Sequence, residues 1–178
     1  GLQDGACYDF NGTTSSIDIG SEVIGTNAVT VSAWVKTDGY GENNFGRVVD
    51  NGQQYIYTSS VTAQIFFKRS IGGTAAEAPW PSTNHGKWIH VAATSTAAGA
   101  LKIYINGIDS TTTAGSGSPT AGTTNTFIGN TSNSDRTWDG SIRDVKIFPS
   151  ELDAADIRKL YAGENPKKNL NVELVVSG

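Results

Sequence analysis

Residues 86–96, GKWIHVAATST, and residues 101–110, LKIYINGIDS, are two alternating apolar runs with Gly99 in the short stretch between them. In the first, Ile89, Val91 and Ala93 interleave with His90 and Thr94; in the second, Leu101, Ile103 and Ile105 interleave with Lys102, Tyr104 and Asn106. Period-two alternation predicts a strand for each, so the pair reads as a hairpin. Asn106-Gly107 is a type I′ turn signal, because both central residues of that turn need positive φ; it predicts a second hairpin running towards Thr111–Thr113.

Working outward, the same pattern recurs along the chain. Strands are predicted near Cys7–Phe10, Ser16–Ile19, Val29–Lys36, Arg47–Asp50, Gln54–Thr58, Ala63–Lys68, Trp88–Thr94, Lys102–Ile105, Thr126–Ile128 and Gly140–Phe148. With 21 glycines, abundant threonine and serine, and no methionine, tight turns joining β-branched strands are expected, as in a sandwich or barrel. Trp34 and Trp88 each lie in an alternating strand and are expected to fill the space between sheets. One segment, Ser150 to Ala162, reads as a helix: Ser150 or Asp153 can cap it, Leu152, Ile157, Leu160 and Tyr161 share a face, and Gly163 stops it. Residues 115–125, GSGSPTAGTTN, read as a mobile loop.

The 178 residues suffice for one domain with a real core. The expected division is a domain over residues 1–165 followed by a strand or tether over 166–178. A net charge of -4 disfavours a phosphate-tracking surface, so nucleic acid is not an expected partner. Cys7 stands alone, which excludes an internal disulfide and a CxxC metal cage. No run of eighteen or more apolar residues is present, so no membrane insertion is expected.

In order along the chain, YDFNGTTSSIDIG, VTVSAWVKT, GKWIHVAATST, LKIYINGI, FIGN and WDGSIRDVKIFPSELDAADIRKLYAG resemble the laminin-G-like, concanavalin-A-like jelly rolls that include pentraxins. The resemblance covers roughly residues 5–163. It implies an all-β, two-sheet antiparallel jelly-roll sandwich with one short C-terminal helix.

A fold of this kind does not fix function, because lectins, glucanases and adhesion modules share it. Glucanases of this fold carry alternating acidic residues on one strand, such as E-x-D-x-E, which places acid and nucleophile on one face. No such strand occurs. Glu151, Asp153 and Asp156 fall at the predicted helix start, where carboxylates complement the helix dipole. His90 alternates with core positions, and Cys7 has no histidine partner in view. The chain is therefore expected not to be an enzyme.

Calcium is the candidate cofactor, since it takes several carboxylate, amide and carbonyl oxygens at once. The resemblance implies a structural ion held by Asp9, Gly12 and Asp144; the plainer reading leaves Asp9 in a turn and Asp144 facing solvent. A second oxygen-rich set, Asp38, Glu42, Asn43, Asn133 and Asp135, either holds a ligand-facing ion, as the resemblance implies, or only shapes turns.

Sugar recognition needs aromatic rings beside directional polar groups. Trp80, between Pro79 and Pro81, is the ring expected to be exposed and held rigid, with Arg136, Tyr40, Tyr55, Tyr57, Asn133 and Asp135 as further ligand contacts. Tyr55 and Tyr57 are two apart and share a strand face. Trp138 is expected to pack under a loop. A non-catalytic carbohydrate-binding module is the expected function, its partner a glycan or a host or cell-surface ligand, and its place extracellular, cell-surface or virion-associated. The alternative is a structural or adhesion domain of a larger assembly, because the end KLYAGENPKKNLNVELVVSG is similar to tails that follow such domains in viral structural proteins.

Overall fold

The computed structural model describes residues 7–70, 72–166, 168, 170 and 172–174. Among the described residues thirteen strands and one α-helix follow in chain order: β1 (Tyr8–Asn11), β2 (Ile17–Asp18), β3 (Val29–Thr37), β4 (Arg47–Asp50), β5 (Tyr55–Ser59), β6 (Gln64–Lys68), β7 (Ala76–Pro79), β8 (Ile89–Ser95), β9 (Leu101–Ile105), β10 (Ile108–Asp109), β11 (Phe127–Ile128), β12 (Asp139–Phe148), α1 (Ala154–Tyr161) and β13 (Val172–Leu174). They form two sheets, one ordered β1-β12-β3-β8-β9-β10 with β13 also on β12, the other β2-β11-β4-β5-β6-β7. Every pairing is antiparallel. The expected two-sheet sandwich with one short helix is what forms.

The opening pair of runs is the β8–β9 hairpin, with Val91 opposite Ile105 and Ser95 opposite Leu101. Asn106 takes the positive φ its turn requires, 50°, and β9 pairs onward with β10. Thr113 does not extend that hairpin; it bridges to Glu77 on β7.

Alternation decides what the core contains. Val29, Val31, Ala33 and Val35 of β3 face the second sheet and meet Ile56, Ile65, Phe67 and Trp80 in one buried cluster. By the same parity Trp34 points the other way. It leaves the inter-sheet space and stacks against Tyr161 of α1 at 5.7 Å between centroids. Trp88 lies just before β8 and is half-buried, with the Arg143 guanidinium 4.3 Å over its ring. The expectation that these two tryptophans fill the inter-sheet core is thus corrected: aliphatic side chains do so, and both rings belong to the outer face of the first sheet.

Helix α1 lies on that outer face. Its N-cap is Asp153, whose Oδ1 accepts from the N–H groups of Ala155 and Asp156 at 2.9 Å. Leu152, Ile157 and Leu160 pack with Ala92, Tyr104 and Phe148 in a second buried cluster.

Strand β12 carries two short partners along one edge: β1 opposite Asp139–Ile142 and β13 opposite Val145–Ile147. Between them the register shifts, and Asp144 adopts φ 51° in the bulge.

Residues 115–125 are tied to their neighbours rather than free of them. Ser116 bridges Thr74, Thr120 donates its N–H to Arg69 and accepts from Gln54 Nε2, and Thr123 donates to Asn51. Of the expected C-terminal segment, residues 167, 169, 171 and 175–178 lie outside the described residues, and β13 is a strand of the first sheet.

Candidate functional site

Trp80 occupies the middle of the core with no exposed surface, and its backbone N–H donates to Ala63 at 2.8 Å. It continues the β7 alternation of Ala76 and Ala78, both buried. This corrects the expectation of an exposed stacking ring: the parity that buries Ala76 and Ala78 carries Trp80 inward too. Tyr40 goes with it, since its hydroxyl donates to the Trp80 carbonyl at 3.1 Å and its ring meets His85 edge-on. Trp138 is buried as expected, with Nε1 donating to Lys36 O at 3.1 Å.

The remaining ligand candidates converge on the outer face of the second sheet. Tyr55 and Tyr57 project there from β5, half-buried, with ring centroids 5.6 Å apart. Cross-strand pairing puts Tyr57 opposite Phe66 on β6, and the two rings stack at 4.7 Å. Phe45 adds a tilted contact to Tyr57 at 6.3 Å. The sequence reading did not single out Arg47, yet it organises this ledge. Its guanidinium lies 4.5 Å over Tyr55 and 4.8 Å over Tyr57, and its Nε donates to Asp50 Oδ2 at 2.9 Å. A cation over a tyrosine face is attracted to the ring and fixes its tilt.

Asn133, Asp135 and Arg136 close one side of the same cleft, which is also lined by Arg47, Asp50 and Tyr55. Their loop is braced internally: the Thr131 hydroxyl donates to Asp135 Oδ1 at 2.6 Å, and Arg136 N donates to Asn130 Oδ1 at 3.0 Å. It is also braced from the 42–44 turn, where Asn43 Nδ2 donates to Asp135 O at 3.2 Å and Glu42 Oε2 accepts from Thr137 N at 3.1 Å. The 42–44 turn and the 130–137 loop lie side by side, with their polar groups bonding one another. Asp38 stands apart from them, its N–H donating to Asp139 O at 2.9 Å.

Burial pushes the Asp50 carboxyl above its ordinary range, against the opposing pull of the Gly52 N–H and the Arg47 charge. Burial likewise raises both tyrosine hydroxyls, so they remain neutral donors at neutral pH. Asp50 is committed to Arg47 and Gly52, and Asp135 to Thr131. The cleft therefore offers stacking surface and hydrogen bonds, with its carboxylates already engaged.

The oxygen-rich place nearest the implied calcium site centres on Asp139, which sequence reasoning did not select. Its carboxylate lies between two backbones: a methyl group at Gly12 would stand 3.2 Å from Oδ1, and one at Gly39 2.8 Å from Oδ2. The Thr37 hydroxyl donates to Gly39 O and lies 3.2 Å from Asp139 O. Asp139 is the single carboxylate of this place, beside a Thr37 hydroxyl that is itself bonded to Gly39 O. Of the implied ligands, Gly12 is here. Asp9 accepts from the Ser141 hydroxyl at 2.6 Å, and Asp144 is exposed five residues beyond Asp139 on β12. At about 3.4 Å per residue that is roughly 17 Å, too far to share an ion. Among the described residues no group of three His, Cys, Asp or Glu side chains is placed to hold a metal.

Two antiparallel sheets in this strand order define a jelly-roll β-sandwich. The chain belongs to the concanavalin A-like lectin/glucanase superfamily, whose family model matches residues 11–158. No curated protein matches it in sequence. Among solved structures it is similar to a candidate carbohydrate-binding protein from Bacteroides ovatus, at TM-score 0.70 and 17% identity over 98% of this chain and 52% of that one. The chain thus spans about half the length of that relative. A native heptameric SAP-like pentraxin from Limulus polyphemus matches at TM-score 0.67 and 15% identity, covering 93% of this chain and 89% of that one. A botulinum neurotoxin type C structure, whose cell entry depends on two ganglioside molecules, matches at 0.57 and 20% identity over 77% of this chain and 36% of that one. At these identities the likeness speaks for the fold. No helix among the described residues is long and apolar enough to cross a membrane.

Proposed function

We propose that this domain is a non-catalytic glycan-binding module that engages sugar through the outer face of its second sheet. The observation that carries this reading is Tyr55, steadied by Arg47 and by the neighbouring Tyr57, lining one cleft with Asn133, Asp135 and Arg136. Rings fixed in place lose little freedom when a pyranose stacks on them, and the loop amide and guanidinium supply direction. The ligands named for the Bacteroides ovatus and toxin structures are in keeping with it. The domain would act outside the cell, on a surface or a virion, as part of a larger protein or assembly. Single-site affinity is expected in the micromolar to millimolar range, about -4 to -8 kcal/mol, so repetition on a particle would supply the avidity.

A structural calcium at Asp139, Gly39, Thr37 and Gly12 belongs to the same proposal, where it would tie the β1 edge to the turn after β3. Chelator should then lower the melting temperature of the wild type and leave Asp139→Asn unmoved; equal curves with and without chelator would remove the ion.

The functional test is a glycan array probed with multimerised wild type and Tyr55→Ala, beside a reducing-sugar release assay. Binding by the wild type that is lost in the variant supports the cleft. Silence on the array together with self-association would favour an assembly domain, and sugar release would overturn the non-catalytic reading.

A further inference from the structure

The outward residues of β4 to β7 form two rows across the second sheet. Ile56, Ile65, Phe67, Ala76 and Ala78 face the core, which leaves Tyr55, Tyr57, Phe66, Lys68 and Glu77 on the other side of their strands. Cross-strand register sets one row as Arg47, Tyr57, Phe66 and Glu77, and the next as Asp50, Tyr55 and Lys68. The first row runs cation, ring, ring, anion. Read backwards, it is the same row with its charges exchanged.

Both ends of that row have bonding capacity to spare. Arg47 gives Nε to Asp50 and Nη1 to Phe45 O, and no hydrogen bond among the described residues uses its Nη2. Glu77 accepts from the Thr113 hydroxyl at 3.3 Å, and neither Glu77 nor Lys68 has an ion-pair partner among the described residues.

We propose that this face is the interface of a two-fold dimer, with a second copy of this chain as its occupant. An axis along the strands, between β5 and β6, lays the two faces together in the aligned packing of stacked sheets, about 10 Å apart. It sets Arg47 against the partner's Glu77 at both ends of the row, and Tyr57 against the partner's Phe66. In the neighbouring row Lys68 comes over the partner's Tyr55, ammonium against ring face. An isologous contact requires such self-complementarity, because each patch meets a copy of itself. An unrelated partner would place no such demand on the order of the row. The dimer covers the Tyr55 cleft, so it goes beyond the glycan reading: the ledge is open in the monomer. Two short rows fall below the roughly 1,200 Å² of stable interfaces, so the dimer is weak and salt-sensitive, with a dissociation constant on the order of 100 µM.

The test is sedimentation of the whole protein, without sugar, from about 10 µM to about 1 mM at low and high salt, with dilution also followed by NMR. The protein should pass from monomer to dimer, less readily in high salt. Dilution should move the ring signals of Tyr55, Tyr57 and Phe66 and leave the Trp34 indole, on the other sheet, in place. Glu77→Arg sets like charges opposite each other and should weaken self-association at least about tenfold. Mixing it with Arg47→Glu should restore a dimer, because each variant supplies the charge the other has lost. Glu77 lies outside the cleft lining, so Glu77→Arg should bind glycan arrays as the wild type does, and the two readings can fail separately. A monomer throughout, equal association in wild type and Glu77→Arg, or dilution shifts at Trp34 in place of the tyrosines would overturn the proposal. So would folded variants that stay apart when mixed; the dilution shifts keep the test decisive should Arg47→Glu not fold.

Discussion

The two outer faces of the sandwich start from the same alternation and end differently. On the first sheet, helix α1 covers the outward residues, so Trp34 is 7% exposed and Ala92 is fully buried beneath the helix. On the second, nothing among the described residues covers β5 and β6, and Tyr55 and Tyr57 stay half-open, steadied by Arg47. Similar chemistry, aromatic rings beside a cation, thus serves packing on one side and leaves a usable surface on the other. What separates them is the covering element, which neither strand's own sequence encodes.

If that contrast is right, Trp34→Ala should be costly, about 3–5 kcal/mol in denaturant melts, because it empties the seat of Tyr161. A loss below about 1 kcal/mol would break the comparison at its covered end. Acid should act on the same face. Burial, helped by the nearby Lys146 charge, pushes His90 down to about 4, while Asp144 lines a cavity beside it. The unfolded chain therefore binds a proton that the folded one refuses. Stability is full above the unfolded pKa near 6.5 and should fall by about 3 kcal/mol as pH drops from there to about 4. His90→Gln should flatten that part of the pH curve; an unchanged slope would assign it elsewhere.

Smaller effects sharpen the boundary between the faces. Asp153→Ala removes the α1 cap and is expected to cost about 1 kcal/mol, with hydrogen exchange quickened in the helix and not on β5. Least of all, Tyr55→Ala should stay within about 1 kcal/mol of wild type, since the ring is half-exposed, while abolishing array binding. A large stability loss there would make the ledge a packing feature like its counterpart.

Much of this was legible in the sequence. Strand positions follow from period-two alternation, the Asn106-Gly107 turn from its need for positive φ, and the helix from Asp153 and its apolar face. The orientation of Trp34 was not, and the reason is parity. In VTVSAWVKT the inward set is Val29, Val31, Ala33 and Val35, so Trp34 had to face outward however apolar its ring. The signal was present and was outweighed by size. Trp80 was obscured differently, because in AEAPW the alternating positions are alanines, too small to register as a strand. Arg47 and Asp139 gave no local signal: one acts through β5, the next strand, and the other lies between glycines 127 and 100 residues away in the chain. Contacts of that kind are set by topology and not by neighbouring residues.

One feature of the first sheet bears on how such a domain is built into larger proteins. Strands β1 and β13 run the same way along a single edge of β12, with Tyr8 opposite Ile142 and Leu174 opposite Val145. Three residues of β12 separate those positions, roughly 10 Å at strand rise. A short linker from Leu174 to Tyr8 would close the chain into a ring, so circular permutants opened at an exposed turn such as Asn133-Ser134 should fold. By the same geometry the domain can be spliced into a surface loop of a host protein, entering and leaving at nearly one point without prying the host apart.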